Sequence, residues 1–213
     1  MEILKRLLNI FTLRKSGAPQ FVDLGLPSGL KWAKCNVGAK KETDYGYYFQ
    51  WGDIVDKRKS NRGWKRYKHC KGTKYTMTKY CRYLLHGTVT DKSTLDPEDD
   101  AATQIMGGKW RTPTIAEFGE LMYNTTKEWI QVNGVNGYKF TSVNNGNSIF
   151  IPAAGAYLNG SVEDVGKDYG DVWSSSLNTS YPYNAWGLDF SADKCNIDYY
   201  SRYYSLPVRG VMD

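Results

Sequence analysis

"LDPEDDAATQIMGGKWRTPTIAEFGELMYN", residues 95–124, is where the chain reads as helix. Asp96 stands at a cap position, Pro97 suits the first helical turn, and Glu98, Asp99 and Asp100 complement the positive end of the helix dipole. Gly107-Gly108 closes that segment. Beyond it, Thr114 and Glu117 have the spacing of a capping box, and Ile115, Phe118, Leu121 and Met122 form one apolar stripe. Two consecutive helices are predicted. On either side the pattern changes. "FVDLGLPSGLKWAKCNVGA" (21–39) reads as two short strands joined at Pro27-Ser28-Gly29, and "YGYYFQWGD" (45–53) as another. After Trp129, strand patterns recur at 137–143, 148–158, 171–177, 185–190 and 204–211, separated by turns rich in Asn and Gly. Strands, two helices, then strands predict an α+β fold with grouped, packed helices and a mostly antiparallel sheet.

The 213 residues are enough for one domain with a real core, and 41% hydrophobic with 15% aromatic content excludes a disordered chain. No apolar run is long enough to span a membrane. The start, "MEILKRLLNIFTLRKSG", is not read as a signal peptide. Its apolar stretch Leu7–Leu13 contains Asn9 and ends in Arg14-Lys15 instead of a small-residue cleavage site. Ile3, Leu4, Leu7, Leu8 and Phe11 fall at helical spacing, so residues 1–16 are expected to form a short amphipathic helix. That helix either packs on its own domain or uses residues 1–13 for docking or self-association.

The net charge of +6 is unevenly spread. Residues 57–82 hold 11 Lys or Arg and no Asp or Glu, so the remainder carries 17 basic and 22 acidic residues. A basic insert at 57–83 thus interrupts a mildly acidic body. Trp64, Tyr67, Tyr75, Tyr80 and Tyr83 are interleaved with its cations, a chemistry suited to nucleic acid. An anionic cell-surface polymer or acidic headgroups would meet the same charge, and a solvated hairpin or subunit contact is the plain alternative. His69, Cys70, Cys81 and His86 match no common zinc spacing, and no metal or cofactor is expected. Cys35, Cys70, Cys81 and Cys195 are read as free thiols, with a Cys70–Cys81 bridge the one exception weighed.

The chemistry concentrates at the carboxyl end. Seven of seventeen tyrosines lie between Tyr169 and Tyr204, among Ser, Asn and Asp. Tyrosine gives large contact area at small entropic cost, and Ser and Asn add adaptable hydrogen bonds. Leu188 and Phe190 are expected in the core, with Asp189 facing the other way and Trp186 in the core or at its rim.

Several motifs in fixed order carry a resemblance: "VDLGLPSGLKWAKCNVGA", "YGYYFQWGD", "LDPEDDAA", "GGKWRTPTIAEFGEL", "VNGYKF", "NSIFIPAAG", "VWSSS" and "LPVRGV". Together they resemble C-type lectin-fold proteins of gut bacteria and their phages, some of them variable proteins of diversity-generating retroelements. The resemblance implies a C-type lectin fold over 17–213, with a variable region at about 173–209. In such members Asn codons are the favoured targets, and their products exclude Lys, Glu, Gln, Met and Trp. From Val172 to Ser205 there is no Glu, Gln or Met, and Lys occurs once, at Lys194.

On this basis the expected binding face comprises Asn178, Ser180, Tyr181, Tyr183, Asn184, Trp186, Asp189, Ser191, Asp193, Asn196, Asp198, Tyr199, Tyr200, Tyr203 and Tyr204. The implied function is non-enzymatic recognition of a variable protein or cell-surface ligand. Display on a virion, such as a phage tail, is expected, with the bacterial cell surface as the alternative. The broader fold group includes formylglycine-generating enzymes, which share an "RxPTxxE"-like helix start, here Arg111–Glu117. That reading needs reactive C-terminal cysteines, and Cys195 stands alone without a nearby His. No phosphate loop, HExxH or nucleophile elbow is present, nor are lectin calcium motifs.

Overall fold

The computed structural model arranges the chain's strands as four small antiparallel sheets. It describes residues 20–58, 60, 63–158, 161–163 and 168–213. The N-terminal helix expected over 1–16 lies outside the described residues. The strands are β1 Phe21–Asp23, β2 Lys31–Asn36, β3 Phe49–Gln50, β4 Thr125–Val132, β5 Val135–Ser142, β6 Ser148–Pro152, β7 Ala156–Leu158, β8 Ser161–Glu163, β9 Tyr169–Leu177, β10 Asn184–Ser191, β11 Lys194–Ser201, β12 Ser205–Leu206 and β13 Arg209–Met212. They pair as β1-β2-β13, β4-β5-β6, β3-β12-β7-β8 and β11-β10-β9. The helices are α1 Ala101–Met106 and α2 Ile115–Tyr123.

The expectation of an α+β fold with two packed helices is therefore corrected: the molecule is β-rich, and helix is a minor component. Asp100 explains part of the difference. It has extended backbone, and its side chain accepts from the Thr103 N–H, so it caps a six-residue helix instead of extending one from Asp96. The upstream segment Pro97–Asp99 is a single 3-10 turn that Asp96 does not cap through its side chain. α2 does begin with the Thr114–Glu117 capping box and buries Phe118 and Leu121. Two long strands, β4 and β11, complete the shift toward β structure. By contrast, 45–53 yields only the two-residue β3.

The core has a main cluster and two satellites. Leu24, Trp32, Phe118, Leu121, Phe140, Ile151, Val172, Leu188, Phe190 and Val211 join α2 to three of the sheets. A second cluster holds Phe49, Trp51, Tyr80, Trp173 and Leu206. Here Trp51 Nε1 donates to the Ser174 carbonyl and Trp173 Nε1 to the Phe49 carbonyl, each at 2.8 Å, so β9 is tied to β3 by reciprocal indole bonds. The basic insert has its own small core of Tyr67, Met77 and Cys81.

Candidate functional site

The tyrosine-rich end folds as a hairpin. β10 and β11 pair without interruption from Asn184↔Ser201 to Ser191↔Lys194, leaving Ala192-Asp193 as a two-residue turn. Much of the segment is the strand β11 itself, at the outer edge of β11-β10-β9. Alternation then divides it. Cys195, Ile197 and Tyr199 oppose Phe190, Leu188 and Trp186, while Asn196, Asp198 and Tyr200 oppose Asp189, Gly187 and Ala185.

Two runs of rings leave the hairpin. On one, Trp186 meets Tyr199 at 5.3 Å, Tyr199 meets Tyr181 at 6.1 Å, and Tyr181 meets Tyr183 at 6.1 Å. The run continues into the basic insert through His86, 5.2 Å from Tyr183 and stacked on Tyr75 at 5.6 Å. On the other, Trp173, Tyr200, Tyr204 and Tyr203 follow in contact, and Tyr203 packs on Trp64 of the insert at 5.0 Å. Tyr181 and Tyr199 are 48% and 40% exposed, and none of these tyrosines is fully buried.

The expected binding residues divide into three groups. Ser180, Tyr181, Asp193, Asn196, Asp198 and Tyr199 are exposed, and Tyr183, Trp186, Tyr200, Tyr203 and Tyr204 are half-buried. Asn178, Asn184, Asp189 and Ser191 are buried, so their expected exposure is corrected. Asn178 Oδ1 accepts from the Ser180 and Tyr181 N–H groups and shapes the 178–184 turn. Asn184 Oδ1 accepts from the Ser201 hydroxyl, and Ser191 closes the hairpin against Lys194. Asp189 does face away from Leu188 and Phe190, but there it meets Asp171 across the sheet and Lys194 Nζ at 2.6 Å.

That inner acidic pair has a defined electrostatic state. Burial pushes the Asp171 carboxyl up to about 7, opposed by a hydrogen bond with Tyr200 and aided by the Asp189 charge. Burial likewise pushes the Cys195 thiol up to about 12, so it is not a thiolate at neutral pH. Cys35, Cys70, Cys81 and Cys195 are all free thiols.

Sequence reasoning missed Arg202. It is fully buried, yet it has no carboxylate partner among the described residues. Its guanidinium donates to the Tyr67 hydroxyl at 2.7 Å and to the carbonyls of Lys79, Tyr80 and Pro182 at 2.8–3.1 Å. It also lies over the rings of Trp51 and Tyr67. Arg202 thus pins the insert and the 178–184 turn to β11. Nothing in the local sequence "YYSRYYS" marked it; the unusual ring content of the insert was the available signal.

Much of the insert's charge is neutralised from outside it. Lys79 Nζ contacts Asp96, Glu98 and Asp99, and Lys68 contacts Asp99. Burial alone would raise the Asp99 carboxyl, but hydrogen bonds from Lys68, Lys79 and Tyr80 hold it well below the usual range. Asp96, Glu98 and Asp99 form the one cluster of metal-ligand type among the described residues, and Lys79 already occupies it. The four residues weighed for zinc are used separately. His69 Nε2 bonds Gly52 O at 3.0 Å, Cys70 Sγ the Trp64 carbonyl, and Cys81 Sγ the Tyr83 carbonyl, while His86 lies between tyrosines.

The cleft beside Phe21, Lys34 and Asn147 and the cleft beside Tyr45, Tyr47 and Tyr157 include no residue of the 169–204 segment. Fold and site together define a β-rich scaffold that presents an aromatic, polar-flanked surface. No protein-family model, curated protein or solved structure matches this chain. No described helix is long and apolar enough to cross a membrane.

Proposed function

We propose that this protein is a non-enzymatic ligand- or receptor-binding protein whose carboxyl-terminal surface varies to recognise different targets. The observation that carries this reading is the connected run Trp186–Tyr199–Tyr181–Tyr183, with two of its rings about half exposed and with Ser180 exposed next to Tyr181, while Asn196 and Asp198 are exposed on the other face of β11. Contiguous exposed rings of this kind mark binding surfaces, and a hairpin held by backbone ladders tolerates changes on its outward side chains. The motif resemblance to retroelement variable proteins supplies the variability. Display on a virion, or on a bacterial surface, belongs to the same proposal.

The test is natural variation. Sequencing this gene across many isolates is expected to find amino-acid differences concentrated at Ser180, Tyr181, Asp193, Asn196, Asp198 and Tyr199, beside an adenine-rich near-copy of those codons. Arg202, Trp173 and Asp189 are expected to stay constant, because each is buried and bonded. Differences spread evenly over the chain would overturn the proposal.

A further inference from the structure

We propose that residues 64–86 form the constant half of the same recognition surface, and that the whole surface takes an acidic, apolar segment of another protein. This rests on the reading that the tyrosine face is a recognition surface. The insert is not an appendage beside that face. Tyr183 and Tyr203 both pack against its core of Tyr67, Met77 and Cys81. Rings of the two halves meet at two separate places, Trp64 on Tyr203 and His86 against Tyr183, and Arg202 bonds Tyr67, Lys79 and Tyr80.

Charge gives the partner's sign. Lys57, Arg58, Lys68, Lys79 and Arg82 each have a carboxylate within 4.0 Å. Lys65, Arg66, Lys71 and Lys74 pair with no carboxylate of a described residue, and all four fall in the ten-residue span that abuts the tyrosines. Lys74 Nζ sits 4.9 Å from the Tyr183 ring centroid and 5.1 Å from that of Tyr75, placing positive charge inside the run of rings. An acidic group docking there meets an ammonium already held by aromatic faces.

Apolar exposure gives the partner's class. Leu84 and Leu85, on the same 3-10 turn as His86, are 84% and 76% exposed, and Tyr75 and Tyr83 are about half exposed. Hydrated polysaccharide offers little to adjacent leucines, whereas a protein partner buries them, and Tyr, Trp and Arg are the residues that dominate protein interfaces.

Panning a displayed random peptide library on the full chain tests this, with heparin and phosphatidylserine vesicles as separate arms. Enriched peptides are expected to carry Asp or Glu beside Leu, Phe or Trp. The Lys71→Glu/Lys74→Glu double variant and the Leu85→Ser variant should each weaken their binding by at least about tenfold, with an unchanged melting temperature. Binding should also weaken with added salt. Loss in Tyr181→Ala/Tyr199→Ala alone, with full binding retained in the Lys71→Glu/Lys74→Glu variant, would leave the recognition reading standing and overturn the role of the insert. Enrichment of neutral or basic peptides, no enrichment, binding only to heparin or vesicles, or a dimer dissolved by Leu85→Ser would each overturn the proposal as well.

Discussion

Asp171 shows how one residue links burial to pH. Its carboxyl lies beneath the hairpin, opposite Asp189 and hydrogen-bonded with Tyr200. Two carboxylates facing each other in a place with little water cannot both ionise cheaply. Lys194 bonds Asp189, and burial above all, with the Asp189 charge adding to it, keeps the proton on Asp171 up to about pH 7. Because the folded value lies above the unfolded one, the proton stabilises the fold fully below about pH 4. That contribution shrinks as pH rises and is gone once pH passes the folded value near 7. Asp171→Asn, which stays neutral and can still accept from Tyr200, should therefore be more stable than wild type at pH 8–9 by on the order of a few kcal/mol, and so melt higher there, and melt close to wild type at pH 4. Thermal melts across that range check this; equal curves at both ends would show that Asp171 is not protonated in the fold.

At the scale of elements, capping decides where helix stops. Asp100 accepts from the Thr103 N–H and also from the N–H and hydroxyl of Thr112, so it both starts α1 and ties it to the segment before α2. Asp100→Ala is expected to cost about 2–3 kcal/mol, because it leaves buried donors without a partner. Thr114→Ala, which removes only the capping box of α2, should cost about 1 kcal/mol. Urea titration of the two variants measures both, and an equal cost would refute this division of labour. α2 was legible in the sequence because its cap and apolar stripe are both local. α1 was misread because three consecutive acids, Glu98, Asp99 and Asp100, look alike, and only packing shows that Asp99 serves Lys68 and Lys79 while Asp100 serves the backbone. β11 was missed although Cys195, Ile197 and Tyr199 alternate with Asn196 and Asp198, because Lys194, Asn196, Asp198 and Ser201 fill half of it with residues uncommon in strands. Its strand conformation comes from the β10 ladder, not from its own composition.

For the whole molecule, the central fact is that the basic insert and the carboxyl-terminal hairpin share one post. The sequence separates Arg202 from Tyr67 and Tyr80 by more than a hundred residues, yet its guanidinium satisfies groups of both. A buried cation bonded mainly to carbonyls has no ready substitute. Arg202→Lys loses the planar fork, and Arg202→Ala removes the donors to three carbonyls and the Tyr67 hydroxyl. In Arg202→Lys, amide hydrogen exchange should accelerate together in 64–83 and 178–184, while β4-β5-β6 stays protected. Uniform acceleration would indicate a general loss of stability instead, and no acceleration would remove Arg202 as the post. The electrostatic picture changes in the same way. An insert that looks strongly cationic in sequence is partly neutralised by Asp96, Glu98 and Asp99 folding back over it. Among the described residues, its unpaired charge narrows to 65–74, beside the tyrosines.

By itself the sequence determined the aromatic-rich composition, the capped helix α2 and the concentrated tyrosine segment, while its α+β reading with two packed helices gave way to a β-rich fold. Those properties are local: caps, alternation and composition act within a few residues. The tertiary structure decided which polar residues of the tyrosine segment face water, that Asn178, Asn184, Asp189 and Ser191 are buried and bonded, and that the insert abuts the same surface. Burial and charge pairing depend on contacts between segments far apart in the chain, and the order of residues alone does not carry them.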